Sequence, residues 1–107
     1  MVGLLVADTA FDAAVSLAVS AGINASDALI LHATGSIPTG SGHEEAVRLL
    51  RRAGHSTAAS QLQRLLSVKS VAQYSARRCS SEEADQALQR GERLIDLARK
   101  SWGMVDT

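Results

Sequence analysis

Lys69 and Tyr74 stand five positions apart in Lys69-Ser-Val-Ala-Gln-Tyr74, a helical stretch followed by Arg77 and Arg78. A lysine ammonium binds phosphate as a point charge, without the bidentate fork of arginine. A tyrosine hydroxyl, with an ordinary pKa near ~10, is a poor base at neutral pH. Lys69 also falls on the helical face that carries Leu62, Leu65 and Leu66. A charge there is costly unless it finds a partner or reaches water. Asp27, in another apolar helix, supplies that partner if the two helices pack side by side, and both residues are then structural.

Three other groups have the right types for chemistry. His43 starts a helix after a glycine-rich loop, at the end where backbone N–H groups attract anions. Arg48, Arg51 and Arg52 form one basic cluster and Arg77-Arg78 a second. Both read as solvated surface or as a binding site for RNA or an acidic partner. No aromatic platform accompanies them, so stacking on single-stranded bases is not supported. Arg48 and His55 have six residues between them, and Gly54 interrupts the helix there. His32 sits near a helix C-terminus, where a favourable dipole interaction explains it. Cys79 follows two arginines and precedes a helix start, which lowers a thiol pKa. With no resolving cysteine it reads as an ordinary residue. The three histidines and Cys79 lack metal-ligand spacing, so no metal and no cofactor are expected.

Helices must position these groups. Of 107 residues, 46% are hydrophobic, one is proline and three are aromatic. That composition predicts a single all-α domain spanning 1–107, with 103–107 a frayed tail. The formal net charge is zero, so long-range attraction to nucleic acid is not built into the whole domain. A lone cysteine suits a reducing compartment. No signal-peptide pattern and no apolar run near the ~20 residues of a membrane span stand out. The expectation is a cytoplasmic protein without membrane contact.

Asp8 predicts the cap of a helix over about Thr9 to Ala33, rich in small residues. Gly22 inside it costs roughly 1 kcal/mol against alanine, which predicts close approach of a neighbouring helix. Gly35 and Gly40 have phosphate-loop spacing, but no Lys-Ser/Thr pair follows, which excludes a P-loop. Ser41-Gly-His-Glu44 reads as a capping box for a short helix, His43 to Ala53, with Glu44 and Arg48 paired across one turn. Ser56 caps a helix to about Arg77. Ser80-Ser-Glu-Glu83 is a second capping box, opening a helix to about Trp102 with Ala84, Ala87, Leu88, Gly91, Leu94, Ile95 and Ala98 inward. Three alanine-rich helices bury little, so an apolar face completed by a second copy or a partner is expected.

The order of elements resembles the HEPN superfamily, and is closest to its short actinobacterial-type members. The matching segments are Ser16-Leu-Ala-Val-Ser-Ala-Gly-Ile-Asn-Ala-Ser-Asp-Ala-Leu29, the glycine loop leading to His43, Leu65-Leu-Ser-Val-Lys-Ser-Val-Ala-Gln-Tyr74, and Ser80-Ser-Glu-Glu-Ala-Asp-Gln-Ala-Leu88. The resemblance implies an antiparallel helical bundle, usually dimeric, of a kind found in toxin–antitoxin, defence and RNA-processing systems. The family's first long helix survives only as Val2 to Ala7. Nuclease members carry an arginine followed by a histidine, acting on RNA without metal. Lys69 and Tyr74 stand at the matching place here. The resemblance therefore implies a homodimer acting by binding, with a nucleotidyltransferase or an antitoxin as partner. The alternative is a metal-independent RNase using Lys69, Tyr74 and His43.

Overall fold

The computed structural model describes the backbone of residues 2–37, 42–74 and 80–103, and the side chains of 11–37, 42–68 and 80–103. The described residues form four helices: α1 (Val2–Thr34), α2 (His43–Arg52), α3 (Ser56–Tyr74) and α4 (Ser81–Ser101). The all-α expectation holds, and the described residues contain no strand.

Helix α1 differs from its predicted bounds. It runs unbroken from Val2, so Asp8 lies inside it rather than capping it. The apolar start is thus the first turns of α1 and not the remnant of a separate helix. Leucine, alanine and valine without a proline give no reason to stop. The helix ends at Gly35, whose positive φ of 81° turns the chain and whose N–H donates to the Leu31 carbonyl oxygen at 2.8 Å. The segment Phe11–Thr34 is long and apolar enough, by length and composition, to cross a membrane. That corrects the expectation that no such segment exists. Core packing accounts for much of its apolarity: Val15, Ala18, Val19, Ala25, Leu29 and Ile30 are buried inside the bundle.

Helices α2 and α3 form a hairpin around Gly54. The Gly54 N–H donates to the Arg51 carbonyl at 3.1 Å and the His55 N–H to the Leu50 carbonyl at 2.8 Å. With Gly54 at φ 88°, this is a Schellman ending, which glycine adopts without a Cβ penalty. The start of α2 departs from the predicted capping box. Gly42 is the N-cap, so no side chain can cap the helix there. At α4 the predicted box is present. The Ser80 hydroxyl accepts from the Glu83 N–H, and the Glu83 carboxylate accepts from the Ser80 N–H.

With α2 only ten residues long, three long helices dominate. The first and last of them, α1 and α4, lie side by side pointing the same way. An added Cβ on Gly91 would lie 3.1 Å from the Ala18 carbonyl oxygen, and one on Gly22 would lie 3.2 Å from a Leu94 methyl. Further along, Trp102 meets Ala28. The predicted close approach at Gly22 is present: the same added Cβ would sit 2.6 Å from a Leu65 methyl. Ser26, fully buried in α1, donates to the Gly22 carbonyl at 2.8 Å. That bond satisfies a hydroxyl otherwise costly in an apolar interior.

Candidate functional site

The α2–α3 hairpin gathers one predicted group. Arg48, Arg51 and Arg52 project from the exposed side of α2 onto a groove of 790 Å³, whose opposite wall holds Gln63, Leu66 and Ser67. The Arg51 guanidinium donates to the Gln63 amide oxygen at 2.8 Å, which ties the helices together. Arg48 pairs with Glu45, one position from the predicted Glu44. Three- and four-residue spacings are both neighbours on a helix, and Glu44 instead lines the groove. The groove is basic at its rim, with one arginine already neutralised. It suits an anionic ligand held by guanidinium edges.

His43 is exposed at the start of α2. Asp27 on α1 lies within electrostatic range of it. Burial pushes the Asp27 carboxyl above the ordinary carboxylate range, and the charge of His43, the smaller influence, pulls it back. His55, half-buried, belongs to the turn, where its backbone closes α2. Its apparent partner Arg48 is engaged with Glu45. Lys69 and Tyr74 are helical residues of α3, and their side chains lie outside the described residues. So does the Asp27–Lys69 pairing. Arg77, Arg78 and Cys79 lie outside the described residues altogether. Among the described residues, no three histidine, cysteine, aspartate or glutamate side chains come together as a metal site.

The most developed surface is one that sequence reasoning placed in the core. Leu88 and Ile95 were expected inward, yet they are 38% and 37% exposed. Leu17 and Trp102 join them at 67% and 47%. The inward stripe of α4 consists of Ala84, Ala87, Gly91, Leu94 and Ala98. Leu88, Ile95 and Trp102 recur every seven residues along one flank of that stripe. Beside them, α1 presents Leu17, Ala21, Asn24 and Ala28 on one helical face. Between the two helices runs a 420 Å³ groove lined by Ala21, Asn24, Ala28, Ile95, Arg99 and Trp102. Trp102 forms one end of it. Its indole N–H donates to the Ala28 carbonyl at 2.9 Å, and its ring meets His32 edge-on at 4.9 Å. His32 therefore has a specific partner besides the helix dipole. The seven-residue recurrence of Leu88, Ile95 and Trp102 was the available signal. Comparison with family models, curated proteins and solved structures finds no match to this chain.

Proposed function

We propose that this chain is a binding protein rather than a catalyst, and that it works through the apolar face shared by α1 and α4. The observation that carries this reading is the groove that Ile95 and Trp102 line against small residues of α1, with Leu17 and Leu88 exposed on the same two helices. A contiguous apolar patch of that kind on a small domain marks an interaction site. The HEPN-like order of helices supports the same conclusion, since the arginine–histidine pair of the nuclease members is replaced by Lys69 and Tyr74. On this reading the protein is a cytoplasmic homodimer in a toxin–antitoxin or defence system, with a nucleotidyltransferase or an antitoxin as a further partner.

A photocrosslinking amino acid in place of Ile95 tests the reading in cells. Covalent adducts on irradiation support it, and their absence overturns it. RNA incubated with the purified chain in EDTA should stay intact. Cleavage that Lys69→Ala abolishes, with helicity retained, would establish the RNase alternative instead.

A second reading, RNA binding, is favoured by the arginine groove of α2 and α3. Arg51→Ala and Arg52→Ala should each weaken RNA binding uniformly across sequences and lower its salt dependence, as loss of a phosphate contact does. Unchanged affinity in both variants would remove it.

A further inference from the structure

The groove between α2 and α3 combines an apolar floor with a rim whose available positive charge gathers at one end. We propose that it binds an acidic amphipathic helix supplied by another protein. The site shares no lining residue with the α1–α4 groove, so the inference goes beyond the binding reading above. It also sets a protein ligand against RNA at these arginines.

Burial separates floor from rim. Val47 is buried and Leu66 half-buried, whereas the other lining residues are exposed. Glu44, Val47, Arg48 and Arg51 follow one another at three- and four-residue steps, so they run along one face of α2. From Glu44 to Arg52 the helical rise adds up to about 12 Å, a little over two turns. A helix docked in a groove presents its apolar anchors at i, i+3 or i+4, and i+7. Those anchors span about the same length as the groove wall. Apolar side chains gain by covering Val47 and Leu66.

Charge decides what else the helix must carry. Arg48 is neutralised by Glu45. Arg51 uses one N–H on Gln63, and a guanidinium has five donors, so the remainder can face a ligand. Arg52 has no partner among the described residues. The available donors therefore sit together at the C-terminal end of α2, while Glu44 puts a carboxylate on the wall at the other end. A helix with glutamates near one end sets them against Arg51 and Arg52 and keeps them away from Glu44. A strand of RNA repeats its negative charge along its length and would meet Glu44 as well. None of the described lining residues is aromatic, so bases find no stacking platform.

Amide NMR on the isotope-labelled full chain tests the site with a synthetic probe. The probe is a stapled helix with leucines at three- and four-residue spacing and glutamates near one end. It should shift the amides of Val47, Arg51, Arg52, Leu66 and Ser67, and leave those of Leu88 and Ile95 in place. Replacing its glutamates by lysines, or its leucines by serines, should each weaken binding by about ten-fold or more. Arg52→Glu should weaken the glutamate probe by about ten-fold and strengthen the lysine probe, with helicity unchanged by circular dichroism. Absent or scattered shifts, equal binding of the lysine probe, or an Arg52→Glu variant that behaves as wild type would overturn the proposal. A single-stranded RNA oligonucleotide that binds the groove more tightly than the glutamate probe would overturn it in favour of RNA. All of these results leave the reading of the α1–α4 face standing, because that face contributes nothing to this groove.

Discussion

The indole N–H of Trp102 donates to the Ala28 carbonyl oxygen, joining the end of α4 to α1 across 74 positions of sequence. This bond fixes one end of the apolar groove. Trp102→Phe keeps most of the ring and removes the donor, so a loss of about 0.5–1 kcal/mol is expected. Trp102→Ala should also abolish self-association. As the single tryptophan of the chain, Trp102 reports on the interface directly. Its emission should shift to longer wavelength as the protein is diluted and the dimer dissociates. An emission maximum independent of concentration would place Trp102 outside any contact.

Gly22 allows α1 to meet α3 and α4 closely. An added Cβ would lie 2.6 Å from Leu65 and 3.2 Å from Leu94, both fully buried. Alanine gains roughly 1 kcal/mol of helix propensity, but overpacking a filled core costs roughly 1–3 kcal/mol. Gly22→Ala should therefore be mildly destabilising and Gly22→Val strongly so, as a lower urea midpoint for unfolding. A stabilised Gly22→Ala would mean that the two leucines repack freely.

The capping box at α4 joins Ser80 and Glu83 through two reciprocal bonds of 3.0 and 3.1 Å. Ser80→Ala should cost about 1 kcal/mol. In the Ser80→Ala background, Glu83→Ala should cost less than it does alone, because the two residues form one unit. Additive losses in a double-mutant cycle would show that each bond acts by itself.

Asp27 gives the fold a pH dependence with a definite sign. Burial raises its carboxyl above the ordinary range, outweighing the charge of His43. The folded chain thus favours the neutral acid more than the unfolded chain does. That contribution is fully present below the unfolded-state value, near ~3.9. It is lost as pH rises through the folded-state value. Asp27→Asn should therefore raise the thermal midpoint at pH 7, and the gain should shrink on acidification. A destabilised variant at pH 7 would mean that an ion pair, with His43 or with Lys69, outweighs burial.

Local features were legible in the sequence, and distant ones were not. The Ser80–Glu83 box could be read because both partners lie within one turn. The close contact at Gly22 could be read because glycine is rarely kept inside a helix without one. The box at Ser41 failed because Gly42, which has no side chain to cap with, takes the N-cap position. Val2 to Ala7 were misassigned because a capping residue such as Asp8 is also tolerated inside a long helix. Leu88 and Ile95 were placed inward because apolar spacing marks both flanks of a stripe without saying how many helices cover them. With three long helices, one flank of α4 is left uncovered. The meeting of Trp102 with Ala28 and His32 depends on the parallel course of α1 and α4, which no local pattern encodes. The arginine groove lies between these cases: its residues were visible, but the facing wall of Gln63 and Ser67 was not.

Small-angle X-ray scattering of the full chain at micromolar concentration tests the central claim most directly. One copy has a Cα radius of gyration of 14.8 Å. If the α1–α4 face binds a second copy, forward scattering will correspond to two chains and the radius will lie clearly above that value. Ile95→Glu should return both quantities to those of one chain. A wild-type sample that scatters as a single chain with a radius close to 14.8 Å would contradict self-association through this face.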